Sequence, residues 1–202
     1  MQTLTPPLSP RDHVRGDPQA IVTLIEYGGY QCPHSVAVQP VVTQLLRKYR
    51  IGLRHAFRHF PLEATRPIPE LVAEAAEYAA SRGAFWHMHA LLFARSTELT
   101  VPSIFACARR LRLPDNGLRN ALTTGVFASR IHDDVAHAMR CGVEGTPTFF
   151  IDGHRHHGPH RFELLVSGID AALDRIGEPR LERPLRGGGR AVPPAPAWPQ
   201  VR

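Results

Sequence analysis

Residues 26–35 read EYGGYQCPHS, and Cys32, Pro33, His34 and Ser35 within them hold the most reactive chemistry of the chain. A proline directly after a cysteine suits the first position of a helix, so the spacing places Cys32 at the N-cap. There the unpaired N–H groups of His34 and Ser35 and the positive helix end favour a thiolate over a thiol. Glu26, six residues upstream, interrupts an apolar run, and a carboxylate in such a place needs either a partner or a function. A second stretch, Gly145 to Phe150 (GTPTFF), sets Thr146 and Pro147 at the start of another apolar run. Three cysteines, Cys32, Cys107 and Cys141, are too few and too irregularly spaced for a disulfide framework or a zinc site. Cys107 reads as a small packing residue in an Ala/Arg-rich helix, and Cys141 as a distant candidate partner for Cys32.

The elements that must position these groups follow from periodicity. Ile21 to Tyr27 (IVTLIEY) has the β-branched, apolar pattern of a strand buried on both faces, ended by Gly28 and Gly29. Residues 33–49 repeat apolar positions at three- and four-residue spacings and predict an amphipathic helix, kinked at Pro40. Gly52 to Phe60 reads as a second strand closed by Pro61, completing a β-α-β unit. From about 67 to 140 the Ala- and Leu-rich chain predicts four to five helices, in which Phe85, Trp86, Leu91, Leu92 and Phe93 are core candidates. TPTFFID, Gly153 and HRHHG predict a hairpin, and Arg161 to Ile176 a closing helix. Residues 1–19 read as a lead-in loop. Residues 178–202, with six prolines and a glycine triplet, read as a disordered tail, leaving 20–177 as one domain.

Composition bounds the function. With 202 residues and 43% hydrophobic content, the chain can build one good core. The charge of +6 rests almost wholly on arginine, Lys48 being the only lysine, and these arginines are scattered with no aromatic-interleaved stripe, which argues against nucleic-acid binding. No segment has the run of about 18 apolar residues a membrane helix needs, and the N-terminus lacks an apolar signal core, so a cytoplasmic protein without a membrane segment is expected. His154, His156, His157 and His160 crowd the hairpin, but alternation separates His156 from His157 and no cysteine or carboxylate completes a set, so no metal site is assigned.

Taken in order, Glu26, Cys-Pro-His, Pro40, RHFPL (58–62), FWHMHALLF (85–93) and Gly-Thr-Pro-Thr resemble the DsbA branch of the thioredoxin superfamily, over roughly Arg11 to Ile176. The resemblance implies an α/β, thioredoxin-like fold (β-α-β … β-β-α) carrying a helical insertion. It implies a nucleophilic Cys32, a His34 that supplies positive charge or a hydrogen bond to it, and a Glu26 buried beneath the thiol to handle its proton. It also implies a cis-proline loop at Thr146-Pro147 that offers backbone to a substrate peptide beside the sulfur.

Where a dithiol member of that family has its second cysteine, this chain has Ser35. A serine can donate a hydrogen bond to the Cys32 thiolate but cannot resolve a mixed disulfide, so an external thiol such as glutathione must do so. The expected function is thiol–disulfide exchange through one cysteine, as glutathione-coupled reduction or deglutathionylation of protein mixed disulfides. Protein or peptide thiols and glutathione are its partners, and it has no tightly bound cofactor. Two alternatives use the same fold: a noncatalytic peptide-binding or redox-sensing domain, and a glutathione transferase or isomerase, although such transferases usually carry serine at the position of Cys32.

Overall fold

A computed structural model describes residues 7–61 and 67–177. In chain order the elements are β1 (His13–Gly16), β2 (Val22–Gly28), α1 (Pro33–Tyr49), β3 (Leu53–His59), α2 (Pro67–Ala80), α3 (Phe85–Ala94), a 3-10 turn (Ser96–Glu98), α4 (Val101–Arg110), α5 (Asp115–Thr124), α6 (Ala128–Arg140), β4 (Thr148–Ile151), β5 (His154–Arg155) and α7 (Phe162–Ile176). The five strands form one sheet in the order β1-β3-β2-β4-β5. Only β2 and β3 run parallel, joined by α1; the other neighbours are antiparallel. This is the expected β-α-β and β-β-α frame around an inserted helical block, here five α-helices. The 178–202 tail and Leu62 of the RHFPL stretch lie outside the described residues.

The lead-in is corrected. Residues 13–16 form the edge strand β1, pairing His13 with Phe57 and Gly16 with Arg54. Four residues, of which His13, Val14 and Arg15 are half-buried and Gly16 is exposed, are too few to carry an alternation signal, and their pairing is dictated by the open edge of β3 rather than by their own pattern. Gly16 has φ +100, and a Cβ there would lie 2.7 Å from the Leu53 carbonyl oxygen, so the turn into β2 needs glycine.

All seven residues of β2 are buried. One sheet face packs Val22, Leu24 and Leu53 against Val38, Val42 and Leu45 of α1 and Leu165 and Ile169 of α7. The other packs Ile25, Tyr27, Ala56 and Phe150 against Ala138, Cys141 and Val143, at and beyond the end of α6. Each fully buried Val or Leu contributes about 1.5–3 kcal/mol, enough to hold α1 against the sheet and fix where its N-terminus points. The inserted helices enclose a further cluster around Phe57, Met88, Leu92 and Ile104; Phe85, Leu91 and Phe93 are buried in it and Trp86 packs at its edge.

Candidate active site

Cys32 stands at the N-cap of α1 with extended backbone (φ −81, ψ 118), and Pro33 opens the helix as its spacing predicts. The turn that delivers it is tight: Cys32 N–H donates to the Gly29 carbonyl at 3.1 Å. A Cβ on Gly28 would lie 2.5 Å from the Phe57 ring and 3.0 Å from Glu26 Oε1, so the strand must end in a residue without a side chain. Cys32 Sγ is half-buried and lies 3.2 Å from the carbonyl oxygen of Thr146, 114 residues away in sequence. The Thr146–Pro147 bond is cis. Thr146 Oγ1 is buried without a hydrogen-bond partner among the described residues. A cavity of about 510 Å³ opens here, lined by Cys32, Pro33, Tyr30, His59, Leu99 and Thr146 among others.

One expected contact at the thiol, that of Ser35, differs in the structure. Ser35 is fully buried, and its Oγ accepts from Gly29 N–H at 3.4 Å; among the described residues no hydrogen bond joins it to Cys32. One turn into the helix, the side chain points back under the glycine turn, so Ser35 braces the turn rather than the sulfur. His34 is exposed on the first turn, and its imidazole makes no hydrogen bond among the described residues. Cys141 is not a partner for Cys32: it is buried on the opposite sheet face, with Sγ 3.5 Å from His137 Nε2. None of the three cysteines is joined in a disulfide, and burial raises the pKa of Cys107, an inert packing thiol.

Beneath the thiol turn lies a polar network that sequence reading caught only at Glu26. Its carboxyl is wholly buried and receives two donors, Gln39 Nε2 on Oε1 at 2.8 Å and His55 Nε2 on Oε2 at 3.1 Å. Arg15 Nε donates to His55 Nδ1 at 3.1 Å, which leaves the proton of a neutral His55 on Nε2, facing Glu26. Burial lowers the His55 pKa well below its usual range and so keeps it neutral. Gln39 Nε2 also reaches the Ser35 carbonyl at 3.2 Å, tying the network to the helix turn that bears Cys32. A second arm runs from Tyr30 to His89 Nδ1 and from His89 Nε2 to Gln39 Oε1, both at 3.3 Å. The donors favour a carboxylate and burial favours the acid. Burial wins, and despite Arg15 and Gln39 the Glu26 pKa rises to about 8. One signal for this network was available: Gln39 is a polar residue among the buried positions of α1, next to Val38 and one turn from Val42.

The chain matches the thioredoxin family model over residues 8–171. It is 43% identical over 168 residues to the Na(+)/H(+) antiporter NhaA 3 of Salinispora tropica, a match covering 83% of this chain and 26% of that protein. The chain thus spans about a quarter of the length of the curated relatives it matches. In fold it is similar to oxidised BdbD from Bacillus subtilis (TM-score 0.74, 19% identity, 81% of this chain and 94% of the other). It is similar also to alpha-DsbA1 from Wolbachia pipientis (TM-score 0.70, 20% identity, 84% and 96%). With the family match spanning most of its length, the chain belongs to the thioredoxin family, and it shares the fold of BdbD and alpha-DsbA1.

Proposed function

We propose that the chain is a monothiol thiol–disulfide oxidoreductase that removes glutathione from protein mixed disulfides. The observation that carries this reading is the contact of Cys32 Sγ with the Thr146 carbonyl at the lip of a cavity, with serine, not cysteine, one helical turn on. Cys32, as the thiolate, attacks the glutathione sulfur of a protein–glutathione disulfide. An S–S bond forms to Cys32, the old one breaks, and the client leaves as a thiolate that takes up a proton. A second glutathione then attacks the Cys32 disulfide, releasing oxidised glutathione and restoring Cys32. The overall change is client–SSG plus GSH to client–SH plus GSSG, which needs no bound cofactor. The cytoplasm, where glutathione is reduced, is the compartment that suits it.

Glu26, titrating near neutral pH, serves as the local proton store, joined to the thiol turn through Gln39 and the Ser35 carbonyl. Thr146 and Pro147 line the thiol with backbone that a client peptide can pair with. Antiport has no place in this reading, since the matched region is a quarter of that relative and, among the described residues, no helix is long and apolar enough to cross a membrane.

The test compares wild type, Cys32→Ser and Ser35→Cys on a glutathionylated peptide and on insulin. Wild type turns over the peptide only with glutathione present, Cys32→Ser is inactive, and Ser35→Cys forms an internal disulfide and gains insulin reduction with dithiothreitol. A wild type that binds peptide without turnover marks a noncatalytic binding or sensing domain. Conjugation of glutathione to an electrophile by Cys32→Ser marks a transferase. Either result overturns the proposal.

A further inference from the structure

Outside the thiol network the described residues hold one other convergence of ligating side chains: His13 from β1, His59 from β3 and Glu77 from α2. His13 Nε2 lies 2.6 Å and His59 Nε2 2.8 Å from the same oxygen, Glu77 Oε1. Two imidazoles thus present the same nitrogen to one point. Their rings are held in place: His13 stacks on Phe85 at 3.5 Å and 13°, and His59 meets Phe57 edge-on at 5.5 Å. The side chains are 15%, 1% and 7% exposed, so the least buried, His13, gives the route to solvent. We propose that His13, His59 and Glu77 form a binding site for a divalent cation of the zinc class.

The chemistry of the donors selects the ion. Two imidazole nitrogens and one carboxylate oxygen suit a borderline ion such as Zn²⁺, whereas Ca²⁺ and Mg²⁺ require a shell of oxygens and Cu(I) prefers sulfur. The three ligand atoms lie within 4.8 Å of one another. Tetrahedral ligands at zinc-bond lengths stand roughly 3.3 Å apart, so Glu77 Oε1 needs to withdraw by only about 0.5 Å from His59 and about 0.7 Å from His13 to admit the ion. To hold the ion, each imidazole presents the lone pair of Nε2 and keeps its ring proton on Nδ1. Three protein ligands leave the fourth position to water. Bound there, the ion would fasten the edge strand and β3 to the first inserted helix, and His59 is itself part of the wall of the Cys32 cavity. This site stands on its own geometry and does not depend on whether Cys32 turns over.

The test uses the full chain, stripped by chelator and titrated with zinc against a competing chelator. Melting temperature and the visible spectrum of the cobalt(II)-loaded protein serve as further readouts. One equivalent should bind, and at a hundredfold excess over the dissociation constant the melting temperature should rise by about 5 °C. His13→Gln, at the least buried ligand, should weaken zinc at least about tenfold and abolish the cobalt band while melting near wild type without metal. Glu77→Gln should likewise weaken zinc and abolish the cobalt band, with a lower metal-free melting temperature because it removes the carboxylate shared by His13 and His59, whereas Cys32→Ser and a His156→Gln, His157→Gln, His160→Gln triple variant should bind normally. Should a ligand variant fail to fold, the wild type still decides: zinc must protect His13 from diethylpyrocarbonate, read by peptide mass. Stoichiometric zinc retained by His13→Gln, zinc lost with the hairpin histidines or Cys32, or absence of protection each overturns the site.

Discussion

Glu26 and Tyr27 are neighbours in β2, yet they face opposite sides of the sheet and meet opposite electrostatics. On the Tyr27 side, Arg58 grips Asp12 through Nε and Nη2 at 2.6 and 2.9 Å and donates Nη1 to the Tyr27 hydroxyl at 2.9 Å. Burial works against both charges there, but this pairing outweighs it, raising the Arg58 pKa and lowering that of Asp12. On the Glu26 side the cation and the acid are separated by His55 rather than touching. Burial prevails: Glu26 rises to about 8, and Arg15 falls to about 10. Saturated pairing makes a fixed strut, and incomplete pairing leaves a group able to change charge near neutrality. The unsaturated side is the one that carries the thiol.

The largest expected effect tests whether that side owns the chemistry. Native-state alkylation by iodoacetamide should map to Cys32, and Cys32→Ser should cut both alkylation and turnover by on the order of a thousandfold, because Cys107 and Cys141 are buried. Rapid labelling of Cys141 in the native state would dissolve the contrast between the two faces.

Next is the pH dependence of stability. The folded-state pKa of Glu26 lies above its unfolded value, so the folded state holds the proton more tightly. Its contribution is fully present below about pH 4.5 and lost as pH rises to about 8, then constant. The full span is worth on the order of 5 kcal/mol, an upper figure because the site can relax. Urea unfolding of wild type and Glu26→Gln at pH 5 and pH 9 should show the difference between the two proteins changing in the variant's favour at the higher pH. A constant difference would mean that Glu26 stays ionised and is only another strut.

Smaller still, Asp12→Asn should cost about 3 kcal/mol by leaving the Arg58 guanidinium without its counter-charge, while the Cys32 alkylation rate stays unchanged. If that rate falls, the two clusters communicate through the sheet and cannot be treated apart.

Sequence alone reached the helix at 33–49, the strands flanking it, the hairpin and the inserted helices, because each is specified by local periodicity or a proline and glycine boundary. It also brought Cys32, Glu26, Thr146 and Pro147 to the site through the family resemblance, and the structure places Cys32 Sγ against Thr146. What it missed was long-range. Arg15, His55, Gln39 and His89 come from four elements and carry no shared spacing, so nothing local announces that they converge on Glu26. The Ser35 hydroxyl was expected at the sulfur because the two residues are three apart; its actual partner, Gly29 N–H, is set by how far the glycine turn folds under the helix. β1 escaped because a four-residue edge strand has too few residues to show a period.

That edge strand redefines where the domain begins. Asp12, just before it, supplies the counter-charge of Arg58; His13 reaches Glu77; Arg15 reaches His55. Within four residues the chain feeds three separate interior clusters, Asp12 on one side of the sheet and His13 and Arg15 on the other. A boundary drawn at residue 20, where the first obvious strand starts, would strip a partner from all three at once. The segment is packed into the domain: any protein that carries this domain after another module has to begin the linker upstream of Asp12.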